Sequence, residues 1–324
     1  MKVLIAYDDS ECAESALKDL VHAGLPRRGR ALVLTIAEKW FPPPPPSVLG
    51  IMEQAATAKS ALALERSYMS STPPAREAER IAQRAALKFQ TTFPGWKVSA
   101  EGVWGSPTRE LFSQAEAWKA DLIVVGSHGR TALGRLLLGS VSQWLLSEAP
   151  CSVRVARAHE DEPDFPVRLL VAVDGSRNAN AAVEQVASRH WAAKSEVRVV
   201  LVDQPLEATY LGDMISPLRR SVEEFNRKER EKLHRLVRAA AKKLEAKGLR
   251  ATAELKEGDP KAELVRMAEE WRADCIFLGA TGLSNRFERF LLGSVSGAVA
   301  ARAHCSVEIV RIRKRTPKTN GNGN

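Results

Sequence analysis

The chain contains no run approaching the ~18–20 uninterrupted apolar residues that a membrane helix needs, so a helical membrane protein is not expected. Its opening apolar stretch, Val3–Tyr7, is cut short by Asp8 and Asp9. That is too brief for the apolar core of a signal peptide, and it is read as a buried strand of a cytoplasmic protein. Only four cysteines are present, Cys12, Cys151, Cys275 and Cys305, and none forms a CxxC pair. A zinc site, a thioredoxin-type redox motif and a secreted disulfide framework all lack their residues. No Gly-x4-Gly-Lys-Ser/Thr occurs, which excludes a P-loop, and no GxGxxG follows the first apolar run, which disfavours a dehydrogenase-type dinucleotide fold. Aromatic residues are 6% of the chain; they offer no cofactor box and no stacking platform for nucleic acid.

What is present is an ordinary globular balance, 44% hydrophobic and 27% charged over 324 residues, a length that suits two domains. The net charge is +9. Basic proteins often meet nucleic acid or membranes, but here much of the excess lies in one tail, Arg311, Arg313, Lys314, Arg315 and Lys318. Without interleaved aromatics, that tail reads as a solvated end, and nucleic acid is not an expected partner. The last residues, 314–324, carry no apolar anchor and are expected to be disordered.

The chain repeats itself. Val3-Leu4-Ile5-Ala6-Tyr7-Asp8-Asp9-Ser10 resembles Leu169-Leu170-Val171-Ala172-Val173-Asp174-Gly175-Ser176. Ala115–Asp121 resembles Ala268–Asp274, and Leu137-Leu138-Gly139-Ser140-Val141-Ser142 matches Leu291-Leu292-Gly293-Ser294-Val295-Ser296. Each copy then reaches Cys-Ser-Val, at Cys151 and Cys305. Three ordered blocks per copy imply a duplicated domain. Asp8 and Asp174 are 166 positions apart, Gly105 and Gly258 only 153, so the first copy holds about 13 extra residues, placed around the proline run Pro42–Pro46. That run is read as a stiff surface excursion. The expected organisation is a first domain over 1–157, an acidic, proline-containing linker over 158–166, a second domain over 167–313, and the tail.

Within the second copy, strands are expected at Leu169–Val173, Val197–Val202, Ala251–Leu255, Cys275–Leu278 and Val307–Val310. Helices are expected at Asn178–Arg189, Pro217–Ala246, Lys261–Trp271 and Phe290–Arg302, and the first copy follows the same order. Alternation of this kind gives an α/β fold: two tandem doubly wound domains, each with a five-stranded, mostly parallel sheet. Such sheets bind ligands beyond the carboxyl ends of the strands, where strand order reverses. The loops after the first and fourth strands are therefore the candidate site.

After the fourth strand comes Gly126-Ser127-His128-Gly129, then nine residues, then Gly139-Ser140-Val141-Ser142. Glycines let backbone N–H groups approach an anion, and a helix N-terminus adds unpaired amides and a favourable dipole. Those ingredients suit phosphate oxygens, while Asp8 or Asp174 suits ribose hydroxyls or an adenine amine. The plain alternative is a strand–helix loop whose glycines serve only packing. A hydrolase built on His128 lacks the Gly-x-Ser-x-Gly elbow here, and the second copy has Ala280 and Thr281 in place of Ser127 and His128. Cys151, Cys305, Trp118 and Trp271 are read as packing residues.

Gly-x2-Gly-x9-Gly-Ser, following the fourth strand of a unit that starts apolar-Asp-x-Ser, resembles the universal stress protein family over essentially the whole chain. The resemblance implies an ATP site in motif-bearing members, with Mg2+ held through the phosphates. It also implies pairing of copies through their last strands, here as an internal pseudo-dimer, with a homo-dimer left open. Carried over, the nucleotide contacts in the first copy are Asp8, Ile36, Gly126, His128, Gly129, Gly139, Ser140, Val141 and Ser142. In the second they are Asp174, Val202, Gly279, Thr281, Gly282, Gly293, Ser294, Val295 and Ser296. The second copy departs from the pattern, with ten residues between Gly282 and Gly293 instead of nine. The resemblance implies an ATP-binding stress or signalling module that acts as a nucleotide sensor. A slow ATPase or adenylate-handling enzyme, and a non-binding dimerisation scaffold, are the alternatives.

Overall fold

A computed structural model describes residues 1–38, 73–128, 138–157, 166–205, 216–281 and 292–312. The proline run, most of the linker, the tail, Gly129 and Gly282 lie outside those residues.

The first half runs β1 (Lys2–Ala6), α1 (Glu11–Asp19), β2 (Arg30–Ala37), α2 (Pro73–Thr92), β3 (Lys97–Trp104), α3 (Pro107–Trp118), β4 (Leu122–Gly126), α4 (Ser140–Glu148) and β5 (Ser152–Ala156). The second repeats the order with β6 (Arg168–Ala172), α5 (Arg177–Ser188), β7 (Glu196–Asp203), α6 (Ser216–Glu245), β8 (Arg250–Glu257), α7 (Pro260–Trp271), β9 (Cys275–Gly279), α8 (Ser294–Arg302) and β10 (Ser306–Val310). The short apolar runs are strands because both their faces are covered: Val3, Leu4, Ile5, Leu169, Leu170 and Val171 are all fully buried. The helix expected from Phe290 begins only at Ser294, since Gly293 is extended at φ −62°, ψ 145°. The apolar spacing of the residues before it had suggested a longer helix.

Each half is a parallel sheet in the order 3-2-1-4-5, and the halves join edge to edge into one ten-stranded sheet, β3-β2-β1-β4-β5-β10-β9-β6-β7-β8. The join is the one antiparallel pairing among the described residues, with Val153 opposite Ile309, Arg154 opposite Glu308 and Val155 opposite Val307. The last strands, expected to share an edge, thus cover one another, and a buried β5 or β10 exposes no edge there. One core layer runs across the join, from Leu4, Leu32 and Ile123 through Val153 and Val307 to Ile276 and Val299. On the opposite face each half has its own layer, formed under α1 and α2 in the first and under α5 and α6 in the second.

The join also buries charge. Arg154, Asp19 and Glu308 are all fully inaccessible to solvent. Arg154 donates to Asp19 through Nε at 2.6 Å and Nη2 at 3.0 Å, and through Nη1 to Glu308 at 3.4 Å and Cys275 Sγ at 3.1 Å. Arg189 donates to both oxygens of Glu308. Burial works against the Arg154 charge, but Asp19, Cys275 and Glu308 hold its pKa above the ordinary arginine value. Cys151 and Cys305 are buried free thiols, as their packing role requires, and burial pushes Cys305 up to about 12.

Candidate nucleotide site

The turn after each first strand is shaped by the Asp-x-Ser sequence itself. Asp8 Oδ1 accepts from the Ser10 amide at 3.1 Å and the Ser10 hydroxyl at 2.6 Å. Ser10 Oγ in turn accepts from Ala13 N at 3.1 Å and caps α1. In the second half, Asp174 Oδ1 accepts from Ser176 N at 2.9 Å, and Ser176 Oγ caps α5 through Ala179 N at 3.1 Å. The residue between is left-handed in both, Asp9 at φ 63° and Gly175 at φ 83°. Each carboxylate is therefore held at the carboxyl end of the first strand by its own turn.

The fourth strand and its helix are tied twice in each half. Gly139 N donates to Ser127 O at 2.8 Å, and Ser142 Oγ to Gly126 O at 2.7 Å. Gly293 N donates to Ala280 O at 2.7 Å, and Ser296 Oγ to Gly279 O at 2.7 Å. So Ser142 and Ser296 turn their hydroxyl protons inward, onto the strand. Gly126 and Gly279 have a packing reason to be glycine. A Cβ on Gly126 would lie 2.8 Å from the Cys12 carbonyl oxygen, and one on Gly279 would lie 2.7 Å from Ala179 N.

The N-caps are different. Gly139 sits at φ −63°, ψ 151°, an ordinary extended conformation, and neither it nor Gly293 supplies a side-chain cap. Ser or Asp would cap better at such a position, as Ser10, Ser176 and Asp259 do for α1, α5 and α7. Glycine leaves the first-turn amides, Ser140 with Val141 and Ser294 with Val295, to find a partner outside the helix.

Strand order 2-1-4 sets these pieces side by side. Tyr7 N donates to Leu34 O at 3.0 Å, joining the Asp8 turn to β2 just before Ile36. Ile36 and Val141 are half-buried against one core layer, and so are Val202 and Val295. The described residues expected at the site thus gather at one end of each half, with an apolar wall, a carboxylate and a helix N-terminus.

Some contributors were not singled out from the sequence. Cys12 and Asn178 occupy equivalent places at the start of α1 and α5. Ser127 Oγ reaches Cys12 Sγ at 4.0 Å and lies 3.0 Å from His128 Nδ1. His128 Nε2 is buried without a hydrogen-bond partner among the described residues. Burial, then the charge of Arg157, holds the imidazole below the ordinary histidine pKa. In the second half, Asn178 Nδ2 instead donates to Thr281 Oγ1 at 2.6 Å. Asp203 ends β7 there, its carboxyl raised by burial and by Glu257 and Glu229. The residue at that strand end in the first half is Ala37. The signal for Asp203 was a charged residue closing the apolar run Val199–Val202.

The comparisons with known proteins agree with this architecture. The profile of the "Universal stress protein family" matches residues 1–157 and 167–311. A universal stress protein of Methanocaldococcus jannaschii is 39% identical over 82 residues, 25% of this chain and 48% of that relative, so about half of that relative's length is spanned. One from Thermus aquaticus is 33% identical over 157 residues, 48% of this chain and 97% of the relative. A solved universal stress protein structure from Archaeoglobus fulgidus superposes with a TM-score of 0.61 at 20% identity, covering 96% of this chain and 98% of that one, which supports the fold. With both repeats matched, the chain belongs to the universal stress protein family, as two tandem copies.

Proposed function

We propose that this protein binds ATP at the carboxyl end of the first half's sheet and serves as a nucleotide sensor or regulator. The observation that carries the reading is the glycine-capped start of α4. Its first-turn amides have no side-chain cap, and they stand beside a carboxylate turn and an apolar wall. Helix dipole and unpaired amides favour a phosphate there, where His128 Nε2 also lacks a partner among the described residues. Ser140 and Val141 would donate to phosphate oxygens through their amides, Asp8 would accept from the ribose or adenine, and Ile36 would cover the base. Among the described residues, no group of three or more His, Cys, Asp or Glu could hold a metal ion. Mg2+ would therefore enter with the nucleotide, neutralising its phosphates.

Fast turnover is not expected. Efficient hydrolysis needs an oriented water and groups that stabilise the transition-state charge. His128 stands in the loop after β4, and its Nδ1 lies 3.0 Å from the Ser127 hydroxyl, which gives it no carboxylate to orient it as a base. Binding without turnover makes ATP a ligand of the folded state, stabilising it by ~2.7 kcal/mol at a hundredfold excess over Kd. Calorimetry tests this: Gly139→Val should place a branched side chain at the phosphates and abolish ATP binding in a folded protein. Unchanged affinity would remove the assignment, and hydrolysis at the ~10 per second of a median enzyme, lost in His128→Ala, would favour the enzyme instead. No helix among the described residues is long and apolar enough to cross a membrane.

A further inference from the structure

The join between the halves has two sets of contacts. One set is symmetric about the point where Arg154 faces Glu308. Arg157 N donates to Ser306 Oγ at 3.0 Å and Arg311 N to Ser152 Oγ at 3.2 Å. The Arg157 guanidinium closes the end of α8 at Ala300 O, 2.7 Å away, and the Arg311 guanidinium closes the end of α4 at Ser147 O, also 2.7 Å away. Contacts of this kind would form equally well if a half met a second copy of itself. They cannot choose a partner.

The other set is asymmetric. Arg154 and Glu308 are equivalent residues of the repeat, opposite in charge, fully buried and directly opposed. Behind them stand Asp19 on one side and Gln185 with Arg189 on the other. Arg189 also donates across the join to Ala23 O at 2.8 Å, and His190 N to Gly24 O at 3.0 Å. Gly24, at φ +60°, lies under the Trp191 ring so closely that a Cβ would be 2.8 Å from it.

We propose that these residues make the join selective for unlike halves, so that a first half takes a second half and rejects another first half. Two first halves would set Arg154 against Arg154. Its Nη1 would lose both Glu308 and the Cys275 sulfur, because the residue equivalent to Cys275 is Leu122. Two second halves would set Glu308 against Glu308, and would press Trp191 onto His190 where it now meets Gly24. Like charges directly opposed in a sheet are destabilising, more so when buried, and discrimination comes from such clashes as much as from good contacts. The partner this surface fits is therefore the other half, of the same chain or of a second copy, and ATP plays no part in the choice.

A protease site placed within residues 158–165 allows the full chain to fold intact and then be cut. The two halves differ in mass, so native mass spectrometry of the cut protein, unfolded in urea and refolded, counts unlike pairs, like pairs and single halves directly. Unlike pairs should exceed like pairs at least about tenfold, a difference of ~1.4 kcal/mol. In Glu308→Arg, which sets Arg against Arg, that excess should fall at least tenfold. Like pairs within threefold of unlike pairs in the wild type, or single halves alone, would overturn the proposal. So would a folded Glu308→Arg protein with unchanged selectivity.

Discussion

The two halves share a backbone and differ in what lines it. Both hold Asp at the first turn, both tie the fourth helix to its strand through a serine hydroxyl and a glycine amide, and both leave that helix capped by glycine. The first half then offers Cys12, Ser127 and His128. The second offers Asn178, Ala280 and Thr281, with Asn178 clamped onto Thr281. At the neighbouring strand ends, Ala37 in the first half is matched by Asp203 in the second, where Glu257 and Glu229 crowd it. A triphosphate placed at the second half's helix start would meet a more acidic surround, so duplication of the scaffold does not imply two equal sites. The same divergence at the join, Arg154 against Glu308, converts a symmetric seam into a directional one.

The comparison is broken most severely at the join. Arg154→Ala takes away the buried cation that pairs with Asp19 and leaves Glu308 to Arg189, and removing one partner of such a pair costs roughly 3–5 kcal/mol. Urea unfolding of the full chain should show that loss. Next in size is Gly126→Ala against Gly279→Ala. Each puts a methyl group under 3 Å from the backbone of the facing helix, and overpacking of this kind costs ~1–3 kcal/mol. Thermal denaturation should show similar losses in both, since the two glycines serve packing alike. A Gly126→Ala protein of unchanged stability whose ATP affinity falls would tie that glycine to the ligand instead.

Asp203→Ala sharpens the comparison. It removes a like charge beside the second site and should tighten ATP binding there about threefold, on the scale of a screened surface interaction. Calorimetry should find the first site unmoved. The smallest effect is a pH dependence. Folded His128 is held below its unfolded value near ~6.5, mainly by burial and then by Arg157. Its contribution is thus fully present above that value and is lost as pH falls through it toward the folded pKa. His128→Gln should flatten the fall in melting temperature of the full chain as pH drops below the unfolded value near ~6.5.

Much of this was legible in the sequence, and the reasons are local. Buried strands such as Leu169–Val173 announce themselves as short apolar runs, and the repeat then predicts each element twice. The site's outline followed because Asp-x-Ser and Gly-Ser-Val-Ser are contiguous motifs. What they do in detail was not legible: Gly126 reads as a phosphate loop residue, yet its packing against Cys12 alone demands glycine. The pairing of the last strands was expected, but the buried charges there were not, because the register brings together Asp19, Arg154, Arg189 and Glu308 from distant parts of the chain. A signal was there, in a charged residue of opposite sign at the centre of each last strand. Helix starts were blurred too, since Leu291 and Leu292 continue the apolar spacing that Gly293 interrupts.

In the proposed site, the first-turn amides of α4 hold the nucleotide phosphates. Ser140 is the first residue of that helix, where proline is well tolerated and removes only an amide that the helix itself does not use. The direct test is ATP calorimetry on Ser140→Pro beside Ser140→Ala, with melting temperatures measured without nucleotide. A charge-assisted hydrogen bond is worth ~1.5–3 kcal/mol. Ser140→Pro should therefore weaken ATP binding at least about tenfold at an unchanged melting temperature, while Ser140→Ala stays within threefold of the wild type. Wild-type affinity in a folded Ser140→Pro protein would contradict the claim.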